Sequence, residues 1–158
     1  PIVIDADGIN LLAGWEDVHH DNCLDLGENV VLTPHIKELS RLLHGSVEDV
    51  GKYGIGELAQ KMGKATLVKK DARTWVSDGR QHYLNLSGNN ALAKGGSGDV
   101  LAGIIGGLLV LGVPTMQAAS LGVYLHGLLA DEYVKERSSS SLLATELLDM
   151  IPYVLAKH

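Results

Sequence analysis

Asn29-Val30-Val31-Leu32 is a strand-length apolar run without polar alternation, and Pro1 to Ala6 and Ala65 to Val68 read mostly the same way. A strand with one wet face alternates, whereas a strand covered on both faces does not, so these three runs predict a parallel sheet with helices on either side. Between the second and third runs, Ile36, Leu39, Leu42 and Leu43 recur at helical spacing. Ser46 with Asp49 resembles a capping box that opens another helix. Thr74-Trp75-Val76-Ser77 and Gln81-His82-Tyr83-Leu84 flank Asp78-Gly79, which predicts a hairpin closed by a tight type I′ turn and a sheet that is mixed near this end. From Asp99 onward the pattern is helical: Asp99 to Leu111, Thr115 to Arg137 behind Pro114, and Leu142 to Leu155. The second of these is apolar almost all round, as a buried helix is. The class is therefore α/β, a mainly parallel central sheet flanked by helices with a β-hairpin near one end.

The 158 residues fit a single domain spanning 1–158. With 46% apolar and 20% charged residues, the composition is that of a folded globular chain, not a disordered one. Nineteen acidic against thirteen basic residues leave a net charge of -6, the wrong sign for a surface that tracks phosphates, so no nucleic-acid partner is expected. Cys23 is the only cysteine; it excludes an internal disulfide, suits a reducing compartment, and points to the cytoplasm. The longest apolar run, Val100 to Val113, falls short of the ~18–20 residues of a membrane span. Its Gly103/Gly107 spacing predicts close helix packing instead. Pro1-Ile2-Val3-Ile4-Asp5 has neither an initiator methionine nor the basic start of a signal peptide, and the chain reads as a fragment.

The densest chemical signal is Gly88-Asn89-Asn90-Ala91-Leu92-Ala93-Lys94-Gly95-Gly96-Ser97-Gly98-Asp99, a glycine-rich loop running into a helix. Glycines let backbone N–H groups converge on an anion, and the positive end of the helix dipole adds to the attraction, which makes Gly96, Ser97 and Gly98 a candidate anion hole. The loop is neither a Walker sequence nor a complete dinucleotide fingerprint. Asp99 suits the first turn of any helix; beside bound phosphate, its carboxylate can also take the proton of an attacking hydroxyl.

Three further polar stretches end predicted strands, where open α/β sheets bind ligands. Thr33-Pro34-His35-Ile36-Lys37-Glu38 offers His35 as a substrate hydrogen-bonding group and Glu38 as a ligand of hydrated Mg²⁺; equally, His35 caps a helix and Glu38 sits in its first turn. Lys69-Lys70-Asp71-Ala72-Arg73-Thr74 offers cations and a hydroxyl, or a solvated turn. Asp5-Ala6-Asp7-Gly8-Ile9-Asn10 is a polar strand end or a helix-initiating turn. His19-His20-Asp21-Asn22-Cys23 makes a poor metal site, since adjacent histidines point apart, and His126 on the buried helix reads as a satisfied core or interface histidine.

With these residues in view, the chain resembles the ADP- or ATP-dependent NAD(P)H-hydrate dehydratases of the ribokinase-like superfamily. Asp5-Ala6-Asp7-Gly8-Ile9-Asn10, Thr33-Pro34-His35 with Glu38, Lys70 to Thr74 and Gly88-Asn89 through Gly103 carry the likeness. The resemblance implies the C-terminal portion of a ribokinase-like fold and the repair of hydrated NADH or NADPH, whose ring bears a water-derived hydroxyl. It implies Asp99 as the catalytic base, His35 and Asp99 on the hydrated cofactor, and Lys70, Asp71, Ala72, Arg73, Thr74 and Gly98 on ADP or ATP. Asp71 and Arg73 depart from the glycines usual there, so their contacts are expected through the backbone. Mg²⁺ is expected near Glu38, directly or through water.

The family's chains begin well upstream of the Asp5 strand, so the missing N-terminal portion is an expected partner, as is a second copy in a homo-oligomer such as a tetramer. No membrane partner is expected. Two rival readings remain: a ribokinase-like kinase of a vitamin precursor or sugar, and a nucleotide-binding fragment without turnover.

Overall fold

The computed structural model describes residues 1–15, 19–20 and 23–157. In chain order the elements are β1 (Ile2–Ile4), α1 (Ala6–Ala13), the short antiparallel pair β2 (His19–His20) and β3 (Cys23–Leu24), and β4 (Val30–Leu32). Three short helices follow, α2 (Ile36–Leu42), α3 (Val47–Lys52) and α4 (Ile55–Gln60), before β5 (Thr66–Lys69), β6 (Trp75–Ser77) and β7 (His82–Leu84). The chain then turns helical through α5 (Ser97–Val110), α6 (Thr115–Tyr133) and α7 (Ala144–Lys157). The main sheet of the described residues runs β1-β4-β5-β6-β7. β1, β4 and β5 are parallel; β6 returns antiparallel to β5 and pairs with β7 as a hairpin.

The lack of alternation in the strands has a direct cause. Leu32 and Leu67 point into a core built with Ile9, Leu12, Leu39, Leu42, Leu58 and Met62 from α1, α2 and α4 and the turn that follows α4. Their neighbours Val31 and Val68 point the other way, against Leu101, Ile105, Leu109, Ala118, Ala119 and Val123 of α5 and α6. Successive side chains leave a strand on opposite faces, so two apolar cores need consecutive apolar residues. α7 lies outside α5 and α6, with Leu147 and Val154 in a third cluster beside Leu129 and Tyr133. Burying leucines of this kind stabilises the fold by roughly 1.5–3 kcal/mol each. No helix of the described residues is long and apolar enough to cross a membrane.

Two local expectations are corrected. The hairpin turn is not type I′, which needs positive φ at both central residues; only Gly79 has it, at 84°, and four residues separate the paired Ser77 and His82. The Asp78 carboxylate accepts from the Arg80 and Gln81 amides, so the side chain, not a left-handed aspartate, shapes the turn. Gly103 and Gly107 are not packing glycines either: an added Cβ would meet nothing within 4 Å at either. The close approach of α5 and α6 falls at Gly122, where a Cβ would stand 2.6 Å from Ile105 Cγ1.

Candidate functional site

The three parallel strands finish level with one another. The Thr33 amide donates to Ile4 O at 3.1 Å and the Lys70 amide to Pro34 O at 2.8 Å, so the ladder continues one residue past each strand. His35 and Lys70 form the last parallel bridge. Asp5, His35 and Lys70 therefore share the carboxyl-end rim of the sheet, the edge where open α/β folds place ligands. Just past Asp5 the chain bends into α1 through Ala6 at φ 47°, a sparsely populated conformation for a residue with a Cβ.

The N-terminus of α5 comes to the same rim. Lys70 Nζ donates to Asp5 Oδ1 at 2.7 Å, both side chains being largely buried. A Cβ on Gly98 would sit 3.4 Å from that Nζ and 3.5 Å from Asp5 Oδ2, so the missing side chain is what leaves room between helix and rim. Gly96 starts the helix at φ 84°, where only glycine is at ease. The Ser97 amide is taken up by Lys94 O at 3.3 Å, whereas the Gly98 and Asp99 amides donate to no backbone carbonyl among the described residues. Those two free amides at the positive end of a 14-residue helix make an anion-binding element. Asp99 is exposed in that first turn, and its carboxylate has no hydrogen-bond or ion-pair partner among the described residues.

His35 and Glu38 are occupied with each other. His35 is the N-cap of α2: its Nδ1 accepts from the Lys37 and Glu38 amides at 3.1 and 3.2 Å. Glu38 is buried; its Oε2 accepts from the His35 amide at 2.9 Å and its Oε1 lies 3.2 Å from His35 Nε2. This reciprocal cap satisfies backbone donors that the helix leaves open. It also commits both Glu38 oxygens, so this carboxylate as placed does not fit direct coordination of Mg²⁺, and no chemical step is routed through a metal at Glu38. Three His, Cys, Asp or Glu side chains gathered for a metal occur nowhere among the described residues. The side chains of His19-His20-Asp21-Asn22-Cys23 lie outside them.

Lys70 to Thr74 leads from β5 into the hairpin. Asp71 Oδ1 accepts from the Ala72 amide at 2.7 Å and Arg73 Nη1 donates to Leu86 O at 3.0 Å. Both side chains are thus spent on shaping the loop. Ala72 is exposed, and Thr74 is half-buried, its carbonyl held by the Asn85 amide at 2.9 Å.

The glycine loop is held from α6 by residues that sequence reasoning passed over. Asp131 accepts from the Gly88 amide at 2.8 Å and from Asn89 Nδ2 at 2.9 Å. Buried Asn85 donates to Ser87 O and accepts from the Ser87 hydroxyl, which lies equally close to Tyr124 O. Gly127 lets this strap pass: a Cβ there would stand 2.2 Å from Ser87 Oγ. His126, read from sequence as a core histidine, is buried with Nε2 3.1 Å from the Ser97 hydroxyl. The available signal was polarity in the wrong place, since His126, Asp131 and Glu132 interrupt the largely apolar second half of this helix.

Burial pushes the His126 imidazole down to about 4, with the nearby Lys70 charge acting in the same direction against the Ser97 hydrogen bond. The neutral ring is thus the native form at neutral pH. The sign follows: the unfolded chain binds the extra proton first, so stability from this residue is complete above pH 6.5 and is lost as pH falls towards 4. Between pH 6.5 and 5 the loss should be about 2 kcal/mol, and His126→Gln should flatten that part of a urea-unfolding pH profile. An unchanged slope would show that the ring charges freely in the fold.

A family model described as NAD(P)H-hydrate dehydratase matches residues 1–153. The bifunctional NAD(P)H-hydrate repair enzyme of Moorella thermoacetica is 41% identical over 98% of this chain and 29% of its own length. The ADP-dependent (S)-NAD(P)H-hydrate dehydratase of Neisseria meningitidis is 42% identical over 93% of this chain and 50% of its own. Among solved structures, the ADP/ATP-dependent NAD(P)H-hydrate dehydratase of Bacillus subtilis, co-crystallised with ATP and Mg²⁺, superimposes with a TM-score of 0.81 at 32% identity, covering 99% of this chain and 55% of that one. The chain therefore spans about half or less of the length of these relatives.

Proposed function

The chain belongs to the NAD(P)H-hydrate dehydratase family, with a ribokinase-like fold, and from that premise we propose that it takes part in the nucleotide-dependent dehydration of hydrated NADH or NADPH. The observation that carries the reading is the space beside Gly98. A first-turn glycine of α5 faces the Lys70–Asp5 pair across a gap that any side chain would fill, with free amides on one side and a cation on the other. An oxygen of the terminal phosphate of ADP or ATP would reach into that gap, with the phosphate itself at its mouth and Lys70, Ala72 and Thr74 towards the rest of the nucleotide. Asp71 and Arg73 reach the nucleotide through their backbone.

The chemistry then follows from the groups at hand. Hydroxide is a poor leaving group and phosphate a good one. The hydrate's ring hydroxyl attacks the terminal phosphorus while the Asp99 carboxylate takes its proton, and the bond from that phosphorus to the departing AMP or ADP breaks. The Gly98 and Asp99 amides, with the Gly96 and Ser97 turn behind them, stabilise the charge that builds on the phosphoryl oxygens. The ring nitrogen's lone pair expels phosphate, and loss of a ring proton restores the reduced nicotinamide. His35, half-exposed at the rim with both ring nitrogens held within α2, would meet the hydrate through the open face of its ring. Mg²⁺ arriving on the nucleotide would supply further charge neutralisation, Glu38 acting through water at most.

Residues 1–158 serve as one domain, the C-terminal portion of this fold, with a homo-oligomer supported by the exposed Leu121 and Tyr124 of α6. The test is direct. The polypeptide is mixed with hydrated NADH, ADP or ATP, and Mg²⁺, and reduced-nicotinamide absorbance is followed together with phosphate release. Both should rise in equal amounts. Nucleotide consumption without recovery of absorbance would instead mark a kinase, and binding without phosphate release a silent nucleotide module.

A further inference from the structure

Ser97 stands between the anion loop and the core. Its amide is held by Lys94 O, its hydroxyl lies 3.1 Å from His126 Nε2, and both side chains are buried. The helix behind it opens on Gly96, which has no side chain to cap the first turn, so the direction of that turn needs another anchor. His126 is in a position to supply it, because α6 is fixed against the loop without slack. Gly127, the next residue, abuts Ser87, and Asp131 holds Gly88 and Asn89. One helix thus grips the loop at its start through Asp131 and at its end through His126. Ile105 of α5 against Gly122 of α6 sets the spacing between the two helices.

We propose that His126 is a positioning residue for phosphate binding: through the Ser97 hydroxyl it fixes the first turn of α5, and so holds the Gly98 and Asp99 amides in register with Lys70 and Asp5. It touches no substrate atom; it acts through Ser97. The proposal rests on the reading of the α5 N-terminus as the phosphate site, and it predicts a signature that a merely stabilising histidine lacks. Only the phosphate-dependent part of nucleotide affinity should respond, and the response should require Ser97.

The test compares ADP with adenosine by calorimetry in the full polypeptide, for wild type, Ser97→Ala, His126→Ala, His126→Gln and the double variant Ser97→Ala/His126→Ala. His126→Ala should weaken ADP about tenfold and adenosine less than about twofold, the worth of one buried hydrogen bond. His126→Gln, whose amide can still reach Ser97, should recover most of the ADP affinity. The double variant should be no weaker than either single one, because the two changes remove one interaction. Additive losses, or equal losses for ADP and adenosine, would overturn the proposal. If wild type binds no ADP, the phosphate-site reading fails, and the amide resonances of Gly98 and Asp99 still decide about His126. They should move in His126→Ala and Ser97→Ala alike and stay near their wild-type positions in His126→Gln; resonances left unmoved by the two alanine variants overturn the positioning role. Should His126→Ala not fold, the other single variants carry the comparison.

Discussion

Asp99→Asn is expected to lower turnover by about 10²–10⁴-fold, the usual contribution of a positioned proton acceptor, while ADP affinity stays level or rises slightly. The substitution keeps the shape of the side chain and removes its basicity. Asp99 is exposed and has no partner among the described residues, so no folded contact is lost and stability should stay within about 0.5 kcal/mol. Its charge stands one residue from Gly98, beside the gap assigned to phosphate, so removing it also relieves repulsion with the nucleotide. The measurement is steady-state turnover of hydrated NADH alongside the ADP dissociation constant. Turnover equal to wild type would remove Asp99 as the base and leave the loop with a binding role alone.

Gly127→Ala is expected to be severely damaging to the fold. Its Cβ would lie 2.2 Å from Ser87 Oγ, 2.6 Å from Ser87 C and 2.7 Å from Ser87 O. A side chain can rotate away; a backbone carbonyl cannot without moving its strand or loop. Either α6 shifts, which disturbs the Gly122–Ile105 contact, or the 85–88 segment shifts and loses its bonds to Asp131 and to the Val123 and Tyr124 carbonyls. We expect a loss of about 3 kcal/mol or more, or failure to accumulate as folded protein. Gly103→Ala is the control: it lies mid-helix in α5 with nothing within 4 Å of the added methyl, and should be neutral or stabilise by up to about 1 kcal/mol. Urea unfolding of the two variants reads both. Equal midpoints would mean that α6 and the loop are not packed as tightly as Ser87 and Gly127 indicate.

How much of this was legible beforehand depends on the range of the interaction. The unalternating runs at Val30–Leu32 and Thr66–Val68 announced a sheet covered on both faces, because burial on a strand is written in consecutive residues. The cap at His35–Glu38 was one of two readings open at that stretch, and it describes the contacts those side chains make. The type I′ turn was misread since Asp-Gly permits that geometry without requiring it, and the Asp78 side chain found two amides to hold instead. Gly103 and Gly107 share a helix face, but which face of α5 meets α6 depends on Ile105 and Gly122, a pairing between helices that spacing within one helix does not encode.

The sequence by itself determined the alternation of strands and helices, the glycine loop opening α5, the family, and the four polar corners from which a site is drawn. Those are local properties of periodicity, turn chemistry and motif. Only the tertiary structure decided who meets whom: Lys70 with Asp5 across 65 positions, Asp131 with Gly88 across 43, and His126 with Ser97 across 29. Strand register and helix crossing bring such pairs within 3 Å or so of each other. Neither leaves a mark on the residues at either end, which is why the lysine's acidic partner and the histidine behind the loop came into view only with the fold.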